Sequence, residues 1–247
     1  MTGRAVVAAF FLAASMVGCA GHPWDPFLVP RPAVRQETQV VAVSSVLLYV
    51  SDLKVSDTLL ARFDSLIVEA LRGGGRRIVP ARVVDSIWNH LRDSAGGLFD
   101  PKTGVRDSAR IGALDSLWRG ALYRTYGVGA VLSPRIVVVR ASFSDGTAHW
   151  DGASESFQSL GAKILTAFAG VHGSGQTPAL SLLVGVYRAS GKAIYLDAGG
   201  IQLLERPTRN GFERVPTAEL LTDSVRVRQA VALALGPLVN PDSTTAH

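Results

Sequence analysis

Cysteine is nearly absent from this 247-residue chain, Cys19 being the only one. No internal disulfide can form, so stability has to come from the core. The five histidines, His22, His90, His149, His172 and His247, are dispersed, with no pair at the spacing of a zinc site and no cysteine to help. No metal or other cofactor is expected. Aromatic residues are few (7%) and so are charged ones (18%), whereas the 47% apolar content excludes a disordered chain. The longest apolar run, which starts at Ala5, falls short of the ~20 residues a membrane-spanning helix needs. There is no Gly-x-Ser-x-Gly elbow and no internal repeat. The net charge of +5 is spread thinly, which with an exported location argues against a nucleic-acid partner. Arg72, Arg76, Arg77 and Arg82 form the one local basic group. It reads as a helix end, where cations complement the C-terminal dipole, with contact to acidic headgroups or a partner as the functional alternative.

What is present begins with an export signal. Arg4 gives a positive start, Ala5 to Leu12 are apolar, and small residues follow. Met16-Val17-Gly18-Cys19 resembles a bacterial lipobox, with Met16 where leucine is usual. The resemblance implies that residues 1–18 are a signal peptide and that Cys19 is diacylated. Two acyl chains give a stable membrane anchor where a single one is marginal. Ala20, where an aspartate would retain the protein at the inner membrane, implies an outer-membrane site facing the periplasm. Residues 19–39, with Pro23, Pro26, Pro30 and Pro32, are expected to form an extended tether, residues 40–236 the globular domain, and residues 237–247 a flexible tail.

Within the domain, the charge-free Val40 to Val50 reads as a buried strand. Ser56 or Asp57 then caps a helix with apolar residues from Leu59 to Leu71, ended by Gly73-Gly74-Gly75. Arg77-Ile78-Val79-Pro80 reads as a short strand. Val84, Ile87, Trp88 and Leu91 mark a second helix, and Ile111 to Tyr126 a third that closes at Gly127. Ala130 to Phe143 reads as a strand, turning at Ser144-Asp145-Gly146-Thr147 toward Trp150. Leu180–Arg188 and Ala193–Leu204 form a hairpin about Ser190-Gly191-Lys192, and Thr217–Leu235 a last helix. The fold class expected is α+β: one domain with helices packed on a mixed sheet of about four to five strands.

This order resembles the anticodon-binding-like α/β domain shared by the curli-secretion lipoprotein, the outer-membrane activators of penicillin-binding proteins and the N-terminal domain of the Tol-Pal translocation protein. It is carried by Gly73-Gly74-Gly75 before Arg77-Ile78-Val79-Pro80, by Tyr126 to Leu132, and by Val184 to Tyr195. The alternating hairpin from which the curli-secretion family builds its pore is missing here. Trp150-Asp151-Gly152, Ala179 to Leu182 and Gly199-Gly200-Ile201 are similar to segments of bacterial lipoproteins, and that similarity brings no activity with it.

Two segments invite chemistry. Gly170 to Thr177 has the glycine spacing of a phosphate-binding loop, but Gln176 stands in the lysine position, so the outer phosphates have no neutralising cation. His149 lies beside Asp145, Trp150 and Asp151, and an imidazole between carboxylates can act as a base. Asp151-Gly152 is also a turn dipeptide. Trp150, Asp151 and His149 are therefore the candidate interaction residues, and none is expected to be catalytic. The function expected is a non-enzymatic envelope module: membrane-held through its lipid, working through an envelope protein partner in assembly or maintenance, with its oligomeric state undetermined. The alternatives are an envelope hydrolase using His149 with Asp145 or Asp151, and a binder of a small molecule or glycan.

Overall fold

The computed structural model of the chain describes residues 25–50, 53–100, 102–144, 146–156, 174–208 and 211–240. The valine-rich run after residue 40 divides in two. Strand β1 (Val40–Val43) and the two-residue β2 (Leu47–Leu48) are separated by Ser44-Ser45-Val46. β1 is central, parallel both to β3 (Arg77–Val79) and to the start of β4 (Ala130–Ser144), and β2 pairs further along the same edge of β4. Parallel neighbours need crossovers, and helices supply them. α2 (Asp57–Gly73) links β2 to β3, its first turn closed by the Ser56 hydroxyl, which accepts from the Leu59 N–H at 3.4 Å. α3 (Ala81–Ser94) and α4 (Ser108–Tyr126) link β3 to β4. Asp107 caps α4, and Gly127 ends it in the left-handed region at φ 66°.

β4 continues antiparallel into β7 (Gly175–Arg188), and β7 into β8 (Ala193–Leu203). The order β3-β1-β4-β7-β8 gives the expected α+β architecture, a mixed sheet of five main strands with helices packed on it. β5 (Thr147–Trp150) and β6 (Ala153–Ser156) extend the distal end of β4, while β9 (Glu205–Thr208) and β10 (Gly211–Arg214) form a separate hairpin. α5 (Ser224–Val239) returns over the sheet on the same side as α2. Phe63, Ile67 and Leu71 of α2, Val227, Val231 and Leu235 of α5, and Leu132, Ile136, Leu182 and Val184 of the sheet make one buried core. On the other face α3 and α4 cover Ala42, Val79 and Val131 with Val84, Leu122 and Trp118.

The structure departs from the sequence reading at both ends of the domain. Residues 25–39 do not act as a spacer: they pack as part of the fold. The Leu28 N–H donates to the Ile194 carbonyl and the Leu196 N–H to that of Pro26, each bond near 3 Å, so this segment flanks β8. Phe27 meets Tyr195 edge-on at 5.3 Å, and a short helix, α1 (Arg31–Glu37), buries Val34. Pro26, Pro30 and Pro32 suggested an extended tether, yet Pro32 lies in the first turn of α1, where a missing N–H costs nothing. At the other end, the helix expected from Thr217 to Leu235 divides into a 3₁₀ turn (Thr217–Glu219) and α5. Between them Leu221 takes φ 61° while fully buried, its N–H donating to the Gln202 side chain at 2.9 Å, and Asp223 restarts the helix. α5 also runs through Pro237 to Val239, into the stretch expected to be tail.

Candidate functional site

The site suggested by sequence is the β5–β6 hairpin. Its turn is Asp151-Gly152, with φ 40° and 73°, the positive pair that a two-residue primed hairpin requires. Alternation along β5 then sorts its side chains. Ala148 and Trp150 point inward, onto Ala141, Ala179 and Leu203. Trp150 is only 7% exposed, and its indole N–H donates to the Leu180 carbonyl at 3.2 Å. It is a core residue and offers no surface for a partner. The Asp151 carboxylate turns the same way, accepting from the Ser181 hydroxyl at 2.5 Å, while its carbonyl accepts from the Gly200 N–H at 3.0 Å.

His149 points the other way. It sits opposite Ser142 and Ser154 and is exposed, with no hydrogen-bond or ion-pair partner among the described residues. The structure therefore separates His149 from the Asp151 carboxylate instead of pairing them. Asp145 lies outside the described residues, as do Gly170 to Gly173 and Cys19, the residue expected to carry the lipid. Gln176 and Thr177 belong to β7, so they are strand and not phosphate loop. His149, Ser142, Ser174 and Gln176 line an open concavity of about 410 Å³, and among the described residues no cluster of His, Cys, Asp or Glu suited to a metal occurs.

The hairpin is clasped to the rest of the fold through two glycines. A Cβ on Gly199 would stand 2.0 Å from the Ala230 carbonyl oxygen of α5, and one on Gly200 2.5 Å from both the Ala153 Cβ and the Trp150 indole nitrogen. Successive Cβ positions of a strand point to opposite faces, so this pair admits α5 on one side and the hairpin on the other. The hairpin also reaches α5 through Glu155, which accepts from Arg226 at 2.6 Å and holds that guanidinium above its ordinary pKa.

Sequence reasoning missed a second polar centre at the break between β1 and β2. The Ser45 hydroxyl donates to Asp85 of α3 at 2.5 Å, and the Val46 N–H donates to Asp64 of α2 at 2.9 Å. Burial pushes the Asp64 pKa up, the Asp85 charge adds to this, and the Val46 N–H opposes it. The available sign was Ser44-Ser45 interrupting an apolar run above two helical aspartates. The arrangement braces the backbone where the ladder is broken.

Two of the four basic residues, Arg76 and Arg77, bond helix ends, whereas Arg82 lies in the first turn of α3. Arg76 donates to the Gly74 carbonyl at 2.6 Å and to the Leu238 carbonyl at 2.5 Å, joining the C-terminal ends of α2 and α5, and Arg77 donates to the Tyr126 carbonyl of α4 at 3.4 Å.

No protein-family model matches the sequence, and no curated protein sequence matches it either. Among solved structures the chain is similar to the PelC dodecamer from Paraburkholderia phytofirmans, at 14% identity and a TM-score of 0.33 over 82% of this chain and 88% of that one. A point variant of the same protein in another crystal form gives 14% and 0.32 over the same shares. A likeness of that strength tells nothing about assembly, ligand or activity.

Proposed function

We propose that this protein is a lipid-anchored, non-catalytic interaction module of the bacterial cell envelope, held by an acylated Cys19 and working through a protein partner. The observation that carries the reading is a strip of sheet that none of the described residues covers, between α3/α4 and the β5–β6 hairpin. Leu47 and Tyr49 are 51% and 59% exposed there, and the Arg135 guanidinium lies 5.2 Å from the Tyr49 ring. Leu47 and Arg135 are in register, and their face is the one opposite the α2/α5 core. An exposed tyrosine carrying an arginine combines residue types enriched where proteins meet. Meanwhile Trp150 and Asp151 are engaged in holding the hairpin.

The first measurement is intact mass of the native protein beside Cys19→Ala, followed by photo-crosslinking from position 49 in the intact envelope. The reading expects a diacyl mass on Cys19 and a reproducible protein adduct from position 49, absent from a control position at Tyr123, which is 60% exposed on α4. An unmodified Cys19 removes the anchor. Equal adducts from both positions remove the contact surface. Hydrolysis of ester, phosphate or glycan substrates that disappears in His149→Ala would overturn the non-catalytic reading.

A further inference from the structure

Docking of residues 25–39 onto the domain changes how an anchored Cys19 can hold it. Five residues lie between Cys19 and Asp25, and the six steps from one to the other extend by at most ~3.3–3.6 Å each, so an acylated Cys19 stays within about 22 Å of Asp25. That is less than the thickness of the ~30 Å hydrocarbon core itself. The fold cannot stand off the membrane, and the part of it nearest the anchor is the segment beside β8.

That part is basic and has an apolar point. Leu28 is 47% exposed. Arg31 and Arg35 are exposed one turn apart on α1, Arg31 lying 4.8 Å from the Phe27 ring centre. Lys192 is exposed in the adjoining turn, two residues from the Ile194 carbonyl that holds Leu28. The acids of the segment are Asp25, 3.9 Å from Arg31, and Glu37, which is paired with Arg188 at 2.6 Å. Arg35 also stands close enough to Arg76 for their charges to interact. Cations around one exposed leucine, at the end of so short a tether, match an anionic bilayer surface.

We infer that Leu28, Arg31, Arg35 and Lys192 form a membrane-facing surface that rests on the anionic headgroups of the bilayer holding the anchor. The inference rests on the proposed acylation of Cys19, and the experiment separates the two. The acylated chain is placed in phosphatidylglycerol/phosphatidylethanolamine vesicles containing a bilayer-bound quencher, with a fluorophore at Leu28→Cys or, as control, at Phe99→Cys. Phe99 is 57% exposed in the α3–α4 connection, over the half of the sheet away from β8. Quenching at 28 and not at 99 is expected. In the unacylated Cys19→Ala chain, Arg31→Gln with Arg35→Gln should weaken partition into these vesicles about 25-fold, with Arg35→Gln alone, which leaves the Arg31–Phe27 contact in place, accounting for about fivefold. Both losses should be matched in the parent by raising salt. An intact mass without the diacyl adduct overturns the anchor and this surface together. Acylated protein quenched equally at both positions, or a protein crosslinked over Leu28 in its place, overturns the surface and leaves the anchor standing.

Discussion

Gly199→Ala is the sharpest test of how the fold is held together. The new methyl would meet the Ala230 carbonyl oxygen at 2.0 Å, its carbon at 2.8 Å and its Cα at 3.0 Å, all of them backbone, with no flexible side-chain end to swing aside. Relief requires α5 to retreat by more than an ångström. That movement opens the layer formed by Val227, Val231, Ala234, Leu235 and Leu238, each at most 2% exposed. Overpacking costs roughly 1–3 kcal/mol where side chains can adjust, and a backbone clash belongs at the top of that range. Alanine in place of glycine stiffens the unfolded chain and returns about 0.5–1 kcal/mol. The net expectation is a loss of about 2–2.5 kcal/mol, which for a urea slope near 2–3 kcal/mol per molar lowers the midpoint by about 1 M. The assay is urea unfolding of the unacylated chain followed by tryptophan fluorescence, with Gly73→Ala as reference. Gly73 is the last residue of α2, and a Cβ there meets nothing within 4 Å, so that variant should gain about 0.5–1 kcal/mol. If Gly199→Ala unfolds within 0.5 kcal/mol of the parent, close packing of α5 on β8 is not what holds this half of the molecule.

The other predictions concern named side chains. Trp150→Ala should cost about 3–5 kcal/mol by emptying the space under the hairpin, and Trp150→Phe about 1–2 kcal/mol through the lost bond to Leu180, both measured by urea unfolding followed by circular dichroism. Asp64→Asn should raise stability at neutral pH and flatten its pH dependence. A carboxyl whose pKa is raised in the folded state holds its proton more tightly there, so stability falls as pH rises from the ordinary aspartate value of 3.8 through the folded one. A variant with the same falling slope over that window would remove Asp64 as its source. Arg76→Met should lower stability by about 2 kcal/mol, since it strips the donors from two helix C-termini, and Arg76→Lys should restore part of the loss; thermal melts of the three proteins decide this.

Local chemistry was legible wherever one element dictates its own form. Asp57–Gly73 and its Ser56 cap follow from apolar spacing and a hydroxyl in the right place, and Asp151-Gly152 is a turn because both positions need positive φ. The failures lie where tertiary contacts decide. The prolines of residues 26–32 indicate an extended tether until the edge of β8 and the ring of Tyr195 are there to receive Phe27 and Leu28. Thr217–Leu235 carries a continuous apolar stripe, but burying Leu220 and Leu221 against the sheet breaks it. The candidate site divided for a similar reason. Neighbours in sequence on a strand face opposite ways, so His149 and Trp150 could not share a surface once β5 had formed.

The seating of Phe27 and Leu28 beside Ile194 and Tyr195 also dictates an order of events during synthesis. A chain that emerges from its N-terminus delivers residues 26–28 early and their acceptor strand near the end. Until β8 has emerged, this segment has nothing to dock against, and β1 in the middle of the sheet still waits for β4. The domain cannot assemble piece by piece as it arrives, so the emerging chain stays open, and exposed to whatever escorts or degrades it, until synthesis is almost complete.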